Sequence, residues 1–122
     1  MSTGMENAMR NIEETLSKVI LYVEKNITDK LTVEDIARQV YMSPAHLHCV
    51  FKDFYGIPLA EYVRREKLKK SLNLLRETDE KISDIAYDVG FEHESSFIRS
   101  FKREFGMTPG EVRKRDAIQS QS

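Results

Sequence analysis

The sequence predicts a small all-α protein, and three observations support this fold class. The chain has 122 residues, enough for one domain or two very small ones that share a core, and its 5 glycines and 3 prolines leave few breaks for turns and strands. Apolar residues recur at helical spacing rather than in alternation. A set of core positions also returns about fifty residues later, which indicates one supersecondary unit used twice.

Two helices are predicted before residue 41. Apolar residues at helical spacing, with charged residues between them, predict an amphipathic packing helix over about residues 11 to 25. Thr32 and Asp35 then resemble a capping box, with an aspartate in place of the usual glutamate or glutamine. This box opens a short second helix.

A tight turn and a third helix follow. The turn falls at Tyr41 and Met42, Ser43 is a good N-cap, and Pro44 fits the first helical position. Gly56 ends this helix. Two short helices separated by about three residues are a helix-turn-helix.

A long helix separates the two copies of the pattern. It starts near Pro58, and no further glycine or proline occurs in it. If it reaches about Glu77 it is roughly 30 Å long. The second helix of a helix-turn-helix can lie in a major groove of DNA, and successive major grooves are ~34 Å apart, so the long helix could hold two such second helices at nearly that separation.

The internal repeat is the most informative feature of the sequence. Asp35-Ile36-Ala37 returns 49 positions later as Asp84-Ile85-Ala86, and Phe51-Lys52 returns 50 positions later as Phe101-Lys102. Core positions are shared while exposed residues differ. Thr108, Pro109 and Glu111 then start a last helix. The predicted organisation is a disordered or artificial leader (1–10), a first helix-turn-helix subdomain (11–56), a linker helix (57–78), a second helix-turn-helix subdomain (79–116) and a disordered tail (117–122).

Charge and cysteine content narrow the function classes. The net charge of −1 lacks the usual basic excess of nucleic-acid binders. Charge is segregated, however, because residues 61–76 are mainly basic and residues 77–92 mainly acidic. The single cysteine, Cys49, favours a reduced, cytoplasmic location. The sequence shows neither a signal peptide nor the apolar run of about 18 residues that a membrane-spanning helix needs.

No pattern of catalytic residues is present. His46 and His48 are two positions apart, so they do not share a helix face as a metal pair would. Cys49 has no nearby base that would activate a thiolate. The sequence therefore predicts no enzyme, no metal and no cofactor.

One ordered set of residues spans both units. It consists of Ile82-Ser83-Asp84-Ile85-Ala86, Val89-Gly90-Phe91, Phe97, Arg99, Phe101-Lys102, Gly106, Thr108-Pro109 and Arg113, with Met42-Ser43-Pro44, Leu47, Phe51-Lys52 and Gly56 in the first unit. In these residues the chain resembles the DNA-binding domain of AraC/XylS-type bacterial transcription activators, over nearly its whole length from Ile12 to about Arg115.

The resemblance implies a duplicated, homeodomain-like all-α fold of seven helices, with two helix-turn-helix subdomains joined by a long linker helix. It also implies binding to double-stranded promoter DNA and recruitment of RNA polymerase. Any small-molecule or phosphorylation input would come through a portion that this sequence does not contain.

The resemblance also implies which positions of this chain contact DNA. Cys49 stands where the family often has an arginine, which argues for weak base reading by the first unit, and Val112 replaces a usual aromatic. The base-facing candidates are Ala45, His48, Cys49, Glu94, Ser95, Ile98 and Arg99, and the phosphate-facing candidates are Ser43, Lys52 and Lys102.

The basic run, two aromatic residues and the overall charge allow three further interpretations. The basic residues between Arg64 and Lys70 are assigned a supporting electrostatic role, because a charge run spread around a helix cannot all face DNA. Tyr87 and Phe91 are interpreted as core aromatics. The alternative function is a protein-interaction domain of the same fold with weakened DNA contact, supported by the net charge of −1 and by Cys49.

Overall fold

The computed structural model describes residues 4–27 and 31–120, with side chains described over 11–27 and 31–117. Within these ranges every regular element is a helix, and no strand is present. The all-α prediction is confirmed. The helices are α1 (Gly4–Lys25), α2 (Val33–Gln39), α3 (Pro44–Tyr55), α4 (Leu59–Glu77), α5 (Ile82–Asp88), α6 (Glu94–Phe105) and α7 (Pro109–Ser120).

The terminal helices are longer than the sequence pattern predicted. Helix α1 begins at Gly4 and α7 continues to Ser120, so both helices extend into the segments that the sequence assigned to the leader and the tail. The remaining residues of those two segments, 1–3 and 121–122, lie outside the described ranges. Apolar periodicity fails to mark these stretches, whereas methionine, glutamate, alanine and arginine in them carry high intrinsic helix propensity.

Contacts divide the chain into two units. The first contains α1, α2, α3 and residues 59–63 of α4, and the second contains residues 64–77 of α4 with α5, α6 and α7. Helix α4 (Leu59–Glu77) lies within the segment predicted as a linker helix, residues 57–78, and it contributes residues to both units.

Aliphatic side chains and one phenylalanine are buried in the first unit. Phe51 is fully buried, and its ring centroid lies 4.7 Å from that of Tyr55 and 5.5 Å from that of Tyr62. Burial of such side chains is the main favourable term in folding. The buried residues of this unit include Leu16, Val19, Val23, Ile36, Ala37, Leu47, Phe51, Leu59 and Val63.

The core of the second unit is built around two phenylalanines of α6. The rings of Phe97 and Phe101 are fully buried with their centroids 5.7 Å apart. Val112, where the resembled family usually has an aromatic, is 7% exposed and joins this core. The core residues are Leu68, Leu75, Ile85, Ala86, Val89, Phe97, Phe101 and Val112.

The turn of the first helix-turn-helix has the hydrogen bonds of a Schellman motif. The N–H of Met42 donates to the carbonyl of Ala37 (3.1 Å), and the N–H of Tyr41 donates to that of Arg38 (3.4 Å). This geometry requires a left-handed residue, and Tyr41 supplies it with φ 58°. A tyrosine therefore occupies a backbone conformation that normally favours glycine.

The second helix-turn-helix repeats this turn with glycine in the critical place. The N–H of Phe91 donates to the carbonyl of Ala86 (2.9 Å), the N–H of Gly90 donates to that of Tyr87 (3.0 Å), and Gly90 has φ 89°. The two turns share one backbone design and differ in its conformational cost.

Arg113 of α7 ties the end of α4 to the loop that follows it. Its guanidinium donates to the carbonyls of Leu75 (3.4 Å), Thr78 (3.1 Å) and Glu80. The last carbonyls of a helix lack partners within the helix, and a cation there also interacts favourably with the helix dipole. Arg113 is thus a structural residue that orients α7 against α4.

The strained turn of the first unit leads to a stability prediction. Tyr41→Gly should raise the free energy of unfolding by about 0.5–1 kcal/mol, because it relieves the left-handed strain. The side chain is 96% exposed, so its removal sacrifices little packing. Urea denaturation measures the change. Tyr41→Ala is the control and should bring no comparable gain; equal gains from both variants would show that strain is not the cause.

Candidate nucleic-acid interface

The second helix of the first unit, α3, is started by its own N-cap. The side-chain oxygen of Ser43 accepts a hydrogen bond from the N–H of His46 (3.2 Å), and Pro44 is the first helical residue. Leu47 and Phe51 point into the core. These local features fix which side of α3 remains outside.

All the sequence-predicted contacts on α3 lie on its exposed side. They are spaced 3, 4 and 7 positions from the first, which places them on one face, opposite the buried Leu47 and Phe51. This face carries one fixed positive charge, the ammonium of Lys52. The exposed residues are Ala45, His48, Cys49 and Lys52, together with the N-cap Ser43.

The second helix of the second unit, α6, is built in the same way but capped differently. His93 is the N-cap residue, but its side chain makes no capping hydrogen bond. Glu94, Ser95, Arg99 and Lys102 are exposed, while Phe97 and Phe101 are buried.

Ile98 is the predicted base-facing residue that the structure supports least. It is half-buried and packs against the core of the second unit. Part of its side chain is therefore engaged in packing and only the remainder is accessible.

One cation on α6 escaped the sequence analysis. Arg103 is exposed and follows Arg99 by four positions, so the two guanidinium groups share a helix face. The exposed side of α6 thus carries Arg99, Lys102 and Arg103, against the single Lys52 on α3. The i to i+4 spacing from Arg99 was the signal that could have identified Arg103.

The basic cluster of α4 is largely engaged within the protein. The guanidinium groups of Arg64 and Arg65 lie 3.7 and 3.9 Å from the carboxylate of Glu104 on α6, and Lys69 lies 3.2 Å from Glu66. Burial lowers the pKa of Lys67 from its ordinary value. The predicted electrostatic role of this cluster is therefore weakened by internal pairing.

Of the two predicted core aromatics, the structure confirms one. Phe91 is half-buried with its ring 5.4 Å from that of Phe97. The prediction for Tyr87 is wrong, since its side chain is 69% exposed. Ile85 and Ala86 take the core-facing positions of α5, which turns Tyr87 outward.

Acidic side chains gather beside α5. A side-chain hydrogen bond between Glu80 and Asp88 raises the pKa of the Glu80 carboxyl, with smaller contributions from desolvation and from the negative charges of Asp88 and Asp84. Arg113 opposes this rise in pKa. The side of the second unit at α5 is therefore strongly acidic, in contrast to the exposed side of α6.

Two further properties bear on function. Among residues 11–27 and 31–117, no group of three or more His, Cys, Asp or Glu side chains could hold a metal ion. None of the helices in the described ranges is long and apolar enough to cross a membrane.

Comparisons with known proteins agree on the family of this duplicated unit. A family model described as a helix-turn-helix domain matches residues 36–115. The chain is 34% identical over 104 residues to the putative HTH-type transcriptional regulator YkgA of Escherichia coli, covering 85% of this chain and 44% of that protein. It is 33% identical over 101 residues to the HTH-type transcriptional activator AarP of Providencia stuartii, covering 83% of this chain and 75% of AarP.

A solved structure extends the agreement to three dimensions. A transcriptional regulator from Chromobacterium violaceum, described by its AraC-type DNA-binding domain, superposes with a TM-score of 0.79 at 28% identity, covering 86% of this chain and 94% of that one. Sequence and fold therefore point to the same family.

The Glu80 site leads to a pH prediction. A carboxyl whose pKa is higher in the folded state contributes stability below its unfolded pKa and loses it as the pH rises through the folded pKa. Glu80→Gln does not ionise and can donate to Asp88, so it should gain stability relative to the parent as the pH rises from about 4 to 7. Thermal unfolding across this range measures it. Asp79→Asn, which removes a neighbouring exposed charge, is the matched control; parallel profiles for Glu80→Gln and the parent would contradict the prediction.

Proposed function

Since this chain belongs to the AraC/XylS-type helix-turn-helix DNA-binding domains of transcription regulators, we propose that it binds a double-stranded promoter site with two half-sites, one for each unit. The observation that carries the proposal is the duplicated helix-turn-helix, in which α3 and α6 each leave one polar face uncovered. A helix-turn-helix places such a face in a major groove.

Sequence reading rests mainly on α6. Arg99 is exposed near the middle of the helix, and arginine is the commonest specific reader of guanine because its fork matches two acceptors on that base. Ser95 and Glu94 stand in the first turn, where base edges are reached. Lys102 and Arg103 lie nearer the end of the helix and bind phosphates.

The first unit mainly positions the protein on DNA. Ala45 and Cys49 offer little hydrogen-bonding capacity, which leaves His48 as the one strong polar group among the three base-facing candidates. Lys52 and the backbone amides at the Ser43 end of α3 bind phosphates. The two units thus contribute unequally to base recognition.

The protein activates transcription by placing RNA polymerase at the promoter. The similarity to AarP, a transcriptional activator by name, supports this part of the proposal. The acidic residues beside α5 supply a surface of opposite charge to a basic polymerase segment.

Footprinting combined with salt titration tests the proposal. Each helix-turn-helix occupies about one turn of DNA, so a monomer should protect about 20 base pairs with half-sites about 10 base pairs apart. Affinity should fall steeply with salt, because binding releases counterions. Protection of a single groove would reject the two-half-site arrangement, and absence of binding at low salt would favour a protein-interaction domain.

The reading role of Arg99 gives a mutational prediction. Arg99→Ala should lose about 1–3 kcal/mol of specific binding free energy and relax the preference at one base position. Fluorescence anisotropy with the site and its single-base variants measures both effects. Lys114→Ala, an exposed change on α7, is the control and should leave this preference intact. Uniform weakening on every sequence would make Arg99 a phosphate contact instead.

The weak first unit can be strengthened at Cys49. Cys49→Arg should tighten binding and steepen the salt dependence by about 0.9 if one phosphate contact is added. Because the position is exposed, the free energy of unfolding should change by no more than about 0.5 kcal/mol. The measurement is the slope of log affinity against log salt, with Cys49→Ser as the uncharged control. A folded variant with unchanged affinity and slope would show that residue 49 does not face DNA.

A further inference from the structure

A shallow apolar hollow lies between α1 and α3 of the first unit. It has a volume of about 230 Å³, and its described lining consists of Ile12, Glu13, Val50, Asp53 and Phe54. Phe54 is 48% exposed and Ile12 is 36% exposed. Large apolar side chains are thus left accessible beside two carboxylates.

DNA binding does not account for this exposure. On α3 the predicted DNA contacts lie opposite Leu47 and Phe51, whereas Phe54 follows Leu47 by seven positions and so lies on the same side as that buried residue. A groove that holds the face of Cys49 leaves Phe54 uncovered.

The second unit has different residues at the positions that correspond to this hollow. Buried positions of α1 recur in α4 with a 52-residue offset, since Leu16, Val19 and Val23 correspond to Leu68, Ser71 and Leu75. With the same offset Ile12 and Glu13 correspond to Arg64 and Arg65, and with the 50-residue offset of α3 and α6 Phe54 corresponds to Glu104.

In the second unit these corresponding residues are charged and lie close together as ion pairs. Arg64 and Arg65 form ion pairs with Glu104 at 3.7 and 3.9 Å. The shared architecture therefore accommodates polar residues here. The exposed apolar side chains of the first unit are a property of that unit and are not demanded by the fold.

The two carboxylates at the hollow determine which charges a binding partner should carry. Within the part of the chain that the structure describes, Glu13 and Asp53 form no ion pair. A partner that covered them with apolar or acidic groups would incur a desolvation or repulsion cost, whereas lysine or arginine at its edges would pair with them.

From these observations we propose that the α1–α3 hollow binds a basic amphipathic helix of a protein partner. One apolar side chain of that helix inserts between Ile12 and Phe54, and flanking lysines or arginines pair with Glu13 and Asp53. This is the mode in which an amphipathic helix lays its apolar face into a groove. The proposal is independent of which bases the chain reads.

A pair of synthetic helical peptides tests the proposal on the full chain. Both carry leucines at i, i+3 and i+7; one carries lysines at the flanking positions and the other carries glutamates. Titration into ¹⁵N-labelled protein should give saturable shifts for the lysine peptide, centred on Ile12, Val50 and Phe54, and none for the glutamate peptide. Lack of saturable binding of the lysine peptide up to millimolar concentration would overturn the proposal, and so would equal binding of both peptides.

Two variants separate the apolar contact from the charges. Phe54→Glu, which introduces the residue type found at position 104, should abolish binding of the lysine peptide while leaving DNA affinity unchanged. Glu13→Lys with Asp53→Lys should weaken the lysine peptide about tenfold and confer binding of the glutamate peptide. Melting curves establish that each variant is folded, and a double variant that keeps the original charge preference would contradict the proposal. Concentration-dependent dimerisation that Phe54→Glu removes would assign the hollow to a second copy of the chain instead.

Discussion

The left-handed residue in the turn of each helix-turn-helix is the constraint on which the second helix of that unit depends. In both turns a hydrogen bond reaches back from the residue after it, from Met42 to Ala37 and from Phe91 to Ala86. This bond sets the direction in which the chain leaves the first helix and hence where α3 or α6 begins. Gly90 adopts the conformation freely, whereas Tyr41 adopts it under strain that the surrounding packing must offset. The first unit therefore forms the same turn geometry at a higher conformational free energy than the second unit.

Duplication preserved the interior of the units and left their surfaces free to diverge. Buried aromatic and aliphatic residues recur at matching positions, because close packing tolerates few changes of volume. Exposed positions of α3 and α6 carry no such restriction, and they now differ in charge: one lysine on the outer face of α3 against two arginines and one lysine on that of α6. The structural repeat thus supplies two similar scaffolds with unequal electrostatic attraction for an anionic partner.

Most of the fold was predictable from the sequence because its determinants are local. The Ser43 cap and the glycines after α3 and α6 act within a few residues of themselves, and helical spacing around Phe51 and Phe101 showed which faces of α3 and α6 stay outside. The partial burial of Ile98 and the pairing of Arg64 and Arg65 with Glu104 were not predictable in this way. Each depends on which side chain from a distant segment arrives beside it. The same limit applies to Arg113, whose three carbonyl partners lie 33 to 38 residues away.

Helix α3 is short, yet it presents two opposite sides. On one side Leu47 and Phe51 fill the core and Val50 with Phe54 borders the hollow against α1, and on the other side Cys49 is exposed on the face proposed to bind DNA. DNA and a helical partner would therefore bind α3 without competing for the same atoms. Any influence of one on the other must pass through the packing of α3, since both ligands would act on the position of one rigid helix. Thermodynamic linkage makes such an influence reciprocal: a partner that steadies α3 for DNA would itself bind more tightly to the DNA-bound protein. Tyr41 is strained and lies just before α3, so a partner would stabilise the position of the second helix more in the first unit than in the second.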